Sequence, residues 1–171
     1  GGYRWFQLYV YKDRNVTLDL IRRAERAGYT ATAVTVDTPI LGRREADIKN
    51  KFSLPSHLTM GNFAKAAGAH ASGTKSSGKE GSGLASHVSS LIDRTLTWDD
   101  IRWLKRTTTM KVVIKGVLSA EDAIKGLECG VDAIWVSNHG ARQLDTTPAT
   151  IEVLKEVCDA VQGRCEVYLD E

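Results

Sequence analysis

A strong excess of charge of either sign is missing from this 171-residue chain: 23 Lys and Arg stand against 21 Asp and Glu, a formal charge of +2. A balance so even gives no electrostatic footprint for a nucleic acid or a membrane surface. Cysteine is scarce. The three present, Cys129, Cys158 and Cys165, are odd in number and show no Cys-x-x-Cys spacing. That excludes a disulfide scaffold and points to reduced thiols in a reducing compartment. No apolar run approaches the ~20 residues needed to cross a bilayer. No Gly-x-Gly-x-x-Gly follows an apolar segment, and no Gly-x-x-x-x-Gly-Lys-Ser/Thr loop occurs. His57, His70 and His87 lack the spacing of metal ligands, so no metal site is expected. An initiator methionine and a signal-peptide pattern are also lacking at Gly1-Gly2-Tyr3-Arg4-Trp5. Apolar segments abut both ends, so the termini are expected to be cuts through a larger protein.

The chain has ample material for a core. Hydrophobic residues make up 42% and 15 glycines accompany them, which suits one globular domain. Five short apolar segments, rich in β-branched and aromatic residues, each end on a polar one: Trp5–Tyr9, Ala31–Asp37, Lys111–Lys115, Ala133–Ser137 and Glu166–Asp170. Continuous runs such as Val112-Val113-Ile114 suit strands covered on both faces. Helical periodicity lies between them. Val16–Ala27 carries an apolar stripe, and Gly28 is placed to end it. Thr97-Trp98-Asp99-Asp100 and Ser119-Ala120-Glu121-Asp122 resemble capping boxes. Thr147-Pro148 offers an N-cap followed by proline at the first helical position, and Gly130 follows the helix begun after Ser119.

Alternation of strand and helix predicts a parallel α/β sheet. A (β/α)8 barrel and a doubly wound sheet both fit. The polar tips Tyr9, Asp37, Lys115, Ser137 and Asp170 favour the barrel, whose active sites are built at the C-terminal ends of its strands. Residues 38–96 interrupt the rhythm. The middle of this insert, 64–90, is rich in Ala, Gly, Ser and Lys and is expected to be flexible.

The polar tips carry the chemistry. Ser137-Asn138-His139-Gly140-Ala141-Arg142 packs several functional groups into six positions. His139 is a candidate general base and Arg142 a candidate fork for a carboxylate or phosphate, against the plainer reading of a polar loop. Lys115, ending a buried strand, needs an anion: a ligand, or a strand-end carboxylate such as Asp37. Asp37 either orients a histidine or only caps the turn before Pro39. Gln7 and Tyr9, two apart, point to one face, either into a site or onto a helix.

The segments Trp5-Phe6-Gln7-Leu8-Tyr9, Thr35-Val36-Asp37-Thr38-Pro39-Ile40-Leu41-Gly42-Arg43-Arg44-Glu45, Lys115-Gly116-Val117 and Ser137 to Asp145 resemble the FMN-dependent 2-hydroxy acid oxidase family. The resemblance runs over essentially the whole chain and is weakest in the insert. It implies an incomplete (β/α)8 TIM barrel, with strands three to seven of eight, that carries FMN at its mouth. It implies oxidation of a glycolate-like (S)-2-hydroxy acid to the 2-oxo acid, with O2 reduced to H2O2. By motif position, Gln7, Tyr9, Thr35, Lys115, Ser137 and Asp170 would contact FMN. Tyr9, Arg44, His139 and Arg142 would bind substrate, with His139 as base and Asp37 orienting it. A homotetramer and a peroxisomal location in a eukaryote, otherwise cytoplasmic, also follow from the resemblance. The family's Asp-Gly-Gly turn is not continued, since Glu171 follows Asp170. The chain alone is therefore expected to hold FMN weakly and to be inactive. Two alternatives are a lactate or mandelate dehydrogenase of the same superfamily and a non-catalytic truncated homologue.

Overall fold

The computed structural model describes residues 2–51, 55, 57–58, 61–63 and 90–171. Nearly all of the insert's low-complexity middle, with His70 and His87, lies outside these residues. In chain order the elements are β1 (Trp5–Leu8), α1 (Arg14–Arg26), β2 (Ala31–Thr35), the short α2 (Glu45–Lys49), a single 3-10 turn (Gly61–Phe63), α3 (Trp98–Thr107), β3 (Lys111–Val117), α4 (Ala120–Glu128), β4 (Ala133–Val136), α5 (Thr150–Val161) and β5 (Glu166–Leu169). The sheet runs β1-β2-β3-β4-β5, and every pairing is parallel.

Local chemistry sets the helix starts. Helix α1 begins at Arg14, two residues before the predicted start, because the Asp13 carboxylate caps it by accepting the Asn15 N–H at 2.9 Å. At α3 the Thr97 N–H donates to the Asp100 carboxylate at 2.8 Å, and at α4 the Ser119 hydroxyl accepts the Asp122 N–H at 3.2 Å, as their sequences predict. The expectation at Thr147-Pro148 is corrected. Helix α5 starts at Thr150 with Ala149 as its cap. Glu152 reaches back to the Ala149 N–H at 3.1 Å, while the Thr147 hydroxyl turns away to the Leu144 carbonyl.

The sheet's two faces are unlike. Side chains alternate along a strand, so each face takes every second residue. One face carries Leu8, Val34, Val112, Ile114, Ile134 and Val136, which join Leu20, Ile21, Ile101, Leu104, Val157 and Val161 of the helices in the main core. Ile114 and Ile134 press so closely on α4 that a Cβ at Gly126 would meet their Cδ1 atoms at 2.6 and 3.0 Å. The other face carries Trp5, Gln7, Ala33, Thr35, Val113, Lys115, Trp135 and Tyr168 by the same alternation.

That second face is concave. The Trp5 ring, on β1, packs edge-on against Trp135 of β4 at 5.9 Å and Tyr168 of β5 at 4.9 Å. In a flat sheet the first and fifth strands would stand about 19 Å apart at the usual spacing. Ring contact across that gap requires the five strands to curl into an arc, the wall of an α/β barrel. Alanines at 31, 33 and 133 leave room at the centre of the arc for the aromatic rings.

Candidate active site

Every polar tip singled out in the sequence lies at one end of the arc. Lys115 is inside β3, while Tyr9, Asp37, Ser137 and Asp170 stand one or two residues beyond the ends of β1, β2, β4 and β5. Parallel strands in register deliver their C-terminal ends to a common rim, which is why residues so distant in sequence meet.

Three clusters form on this rim. In the first, the Gln7 amide donates to the Thr35 hydroxyl at 2.9 Å, between β1 and β2. In the second, the Lys115 ammonium donates to the Ser137 hydroxyl at 2.7 Å and pairs with the Asp170 carboxylate at 2.8 Å. It also lies 5.2 Å from the centre of the Trp135 ring. The partner of Lys115 is thus Asp170, just beyond β5, and not Asp37, which the sequence suggested. Asp37 is engaged elsewhere. Asp170 Oδ1 is buried and has no hydrogen-bond partner among the described residues.

The third cluster joins the loops after β2 and β4. His139 Nδ1 lies 3.0 and 3.3 Å from the two carboxylate oxygens of Asp37, with the imidazole and carboxylate side chains only 21% and 12% exposed. Thr38 donates its hydroxyl to Asp37 as well, at 3.0 Å. The His139 N–H donates to the buried Ser137 hydroxyl at 3.2 Å, which ties this cluster to the second. The backbone here is unusual: His139, Gly140 and Ala141 have φ of 61°, 63° and 52°. Two non-glycine residues in the left-handed region thus flank a glycine, a strain that clusters at functional sites.

Tyr9 and the arginines complete the rim. Burial pushes the Tyr9 phenol above its ordinary value; its hydrogen bond with Thr38 opposes this, the Asp37 charge adds to it, and Arg44 and Arg142 pull it down. Tyr9 is therefore within electrostatic reach of Asp37, Arg44 and Arg142 together. Burial lowers the Arg44 guanidinium from its usual value, and the like charge of Arg142 lowers it further. Arg44 Nη1 is buried with no partner among the described residues. A guanidinium with an unused buried donor, under the like charge of a second one, can receive an anion.

Two contributors escaped the sequence reading. Gly116 has φ of 114°, and a Cβ there would stand 2.7 Å from the Asp37 Cβ, so only glycine lets Asp37 lie across β3. A glycine directly after the strand-end lysine was the available signal. The second is Gln143, whose amide contacts both the Arg44 segment and the Asp37 segment. A cavity of about 470 Å³ lies between the ends of β2 and β3 and the start of α3, where Thr35, Thr38 and Gly116 of the rim line it together with Val36, Ile101, Trp98 and Val117. Lys115, His139 and Arg142 are not in its wall. The concave rim, where the ionisable groups converge, is the better candidate for chemistry.

The family model described as FMN-dependent dehydrogenase matches residues 1–171. The chain belongs to this family. A glycolate oxidase, "Glycolate oxidase 1" of Oryza sativa subsp. indica, is 56% identical over 169 residues, covering 99% of this chain and 44% of the relative. Among solved structures, mandelate oxidase with (S)-4-hydroxymandelic acid superposes with a TM-score of 0.85 at 42% identity, over 99% of this chain and 46% of that one. A mandelate oxidase variant with a C4a-OH-FMN adduct matches with a TM-score of 0.79 at 38% identity, over 99% and 43%. The chain thus spans less than half the length of the relatives it matches here. Its arc is part of the family's barrel.

Proposed function

We propose that the rim is the substrate and flavin end of an (S)-2-hydroxy acid oxidase, acting on glycolate or a close homologue in a protein that carries the complete barrel. The observation that carries this reading is the pairing of His139 Nδ1 with the Asp37 carboxylate at 3.0 Å, in loops that Gln143 fastens to Arg44 at 2.9 Å. A 2-hydroxy acid presents a carboxylate and a hydroxyl on adjacent carbons. Arg44 and Arg142 bind the carboxylate. Tyr9 hydrogen-bonds the bound acid. His139 Nε2 faces the hydroxyl proton and removes it. With Asp37 accepting from Nδ1–H, Nε2 is left as the basic nitrogen, and the same carboxylate stabilises the imidazolium. Two fixed arginines also orient the α-carbon, which is how binding is turned into rate.

The residues present fit FMN. Gln7, Thr35, Lys115 and Ser137 set hydrogen-bonding groups across the strand tips, and the buried, unpartnered Asp170 Oδ1 leaves an acceptor there for a further donor. These residues, with Tyr9, would hold the flavin. FMN supplies the two-electron acceptor that no side chain can. Lys115 sets a positive charge at the centre of the rim. The overall reaction converts the 2-hydroxy acid and O2 to the 2-oxo acid and H2O2.

Residues 1–171 act here as one partial barrel domain, with residues 38–96 as a long insert in its sequence after β2. A homotetramer, located in peroxisomes if the source is eukaryotic and otherwise in the cytoplasm, suits this function. The test is oxygen uptake and peroxide release with glycolate by the FMN-loaded protein that carries the complete barrel. Reduction of a dye or cytochrome without oxygen uptake would favour a lactate or mandelate dehydrogenase. Oxidation of no 2-hydroxy acid with any acceptor would overturn the reading.

A further inference from the structure

We infer that Gln143 is a positioning residue that locks the Arg44 guanidinium to the loop bearing His139 and Arg142. The inference rests on the reading of Arg44 as a carboxylate ligand.

The Gln143 amide uses both of its ends on one segment. Its Oε1 accepts from Arg44 Nη2 at 2.9 Å and from the Gly42 N–H at 3.2 Å. Its Nε2 donates to the Ile40 carbonyl at 3.2 Å and to the Asp37 carbonyl at 3.4 Å. Two N–H donors and two carbonyls are matched by only one orientation of the amide, so the side chain has no freedom to flip. Four bonds from one residue thus bridge about a hundred positions of sequence and fasten the chain from Asp37 to Arg44 onto the loop after β4.

The backbones meet as tightly. A Cβ at Gly42 would collide with the Arg142 carbonyl oxygen and stand 2.8 Å from the Gln143 Cα. Gly42 therefore allows the two segments to touch, and the Gln143 amide fixes their register. A guanidinium is planar, so holding Nη2 sets the direction of Nη1. Nη1 is the donor that is buried without a partner among the described residues.

Neutrality is part of the design. Arg142 already repels Arg44. An amide accepts from Arg44 without cancelling its charge, whereas a carboxylate at the same place would occupy the site meant for the substrate's own.

Four forms of the FMN-loaded protein test this: wild type, Gln143→Leu, Arg44→Lys and the double variant, with Gln143→Glu as a fifth. The probe is a non-oxidisable carboxylic acid, such as the 2-oxo acid product, titrated by calorimetry. Gln143→Leu is expected to raise its Kd about 10- to 100-fold, with the melting temperature and FMN content little changed. In the Arg44→Lys background the same change should add less than about twofold, because its target is gone. Gln143→Glu keeps the acceptor and should weaken binding by neutralising Arg44; it decides the matter if Gln143→Leu fails to fold. With substrate, KM should rise more than kcat falls. An unchanged Kd, an equal fold-change in the Arg44→Lys background, or a fall in stability alone would each overturn the inference. If Arg44→Lys weakens the probe while neither Gln143 variant does, only the inference fails. If the probe binds as described but no 2-hydroxy acid is oxidised, only the proposed function fails.

Discussion

The Asp37 carboxylate lies 3.0 Å from Nδ1 of His139, although 102 positions separate them in the chain. The strands that carry them are not neighbours: β3 runs between β2 and β4. The contact is possible because Gly116, on β3, has no side chain where Asp37 crosses. An acid–base pair is thus assembled over a glycine by the order of the sheet.

His139 carries the proton transfer in this reading. Its φ of 61° makes alanine a poor replacement, since strain would be confounded with chemistry. Asparagine tolerates this backbone. His139→Asn is expected to slow substrate oxidation by about 10²- to 10⁴-fold, the usual range for a lost acid–base group, with FMN retained. Rapid-mixing absorbance of the bound flavin measures it.

Gly116→Ala tests the crossing. The new methyl would stand 2.7 Å from the Asp37 Cβ on a backbone of φ 114°. A loss of about 1–3 kcal/mol of stability is expected from the backbone alone, with a fall in activity as Asp37 shifts from His139. Thermal melting and turnover report the two effects separately.

Lys115→Met removes the cation between Asp170 and Ser137. The Asp170 carboxylate, 28% exposed, is left without its partner. Stability should fall by about 1–3 kcal/mol, as for a lost bond to a charged group, and FMN retention should fall with it. Lys115→Arg should recover much of both. Bound flavin per mole of protein after gel filtration is the measurement.

Acid should unfold the chain partly through Glu25 and Asp93. Burial opposes ionisation of Glu25, but bonds from the Thr108 hydroxyl, the Thr109 N–H and Arg22 prevail and hold it at about 2. The Thr95 hydroxyl and N–H, with Arg14, hold Asp93 at about 2 against its burial. Both values lie below those of an unfolded chain, so their stabilisation is full above pH ~4.5 and is lost as pH falls toward 2. Glu25→Gln should lower the melting temperature at pH 7 and flatten its decline between pH 5 and 2.

The strands and their polar tips were legible because a buried parallel strand leaves a continuous apolar run that stops on a functional residue, as Val112 to Lys115 does. Pairings were less so. Lys115 could be seen to need an anion, but Asp37 and Asp170 are equivalent in sequence, and only the curl of the sheet brings Asp170 to it. The start of α5 was misplaced because Thr147-Pro148 has ideal local chemistry, which the Glu152 side chain outcompetes from inside the helix. Gln143 was invisible for a different reason: an amide has no distinctive spacing, and its role exists only once Ile40, Gly42 and Arg44 are beside it.

Alternation along β3 carries a lesson about which length changes such a protein can accept. Lys115 looks into the arc and Ile114 onto α4. Inserting a single residue ahead of Lys115 within that strand would exchange them, driving an ammonium into the apolar layer and presenting an isoleucine at the rim. The same insertion in the turn after α4, where Gly130 has open space around it, would disturb neither layer. Variation in length among related chains should therefore gather at the floor and in the outer crossovers, and skip the strands.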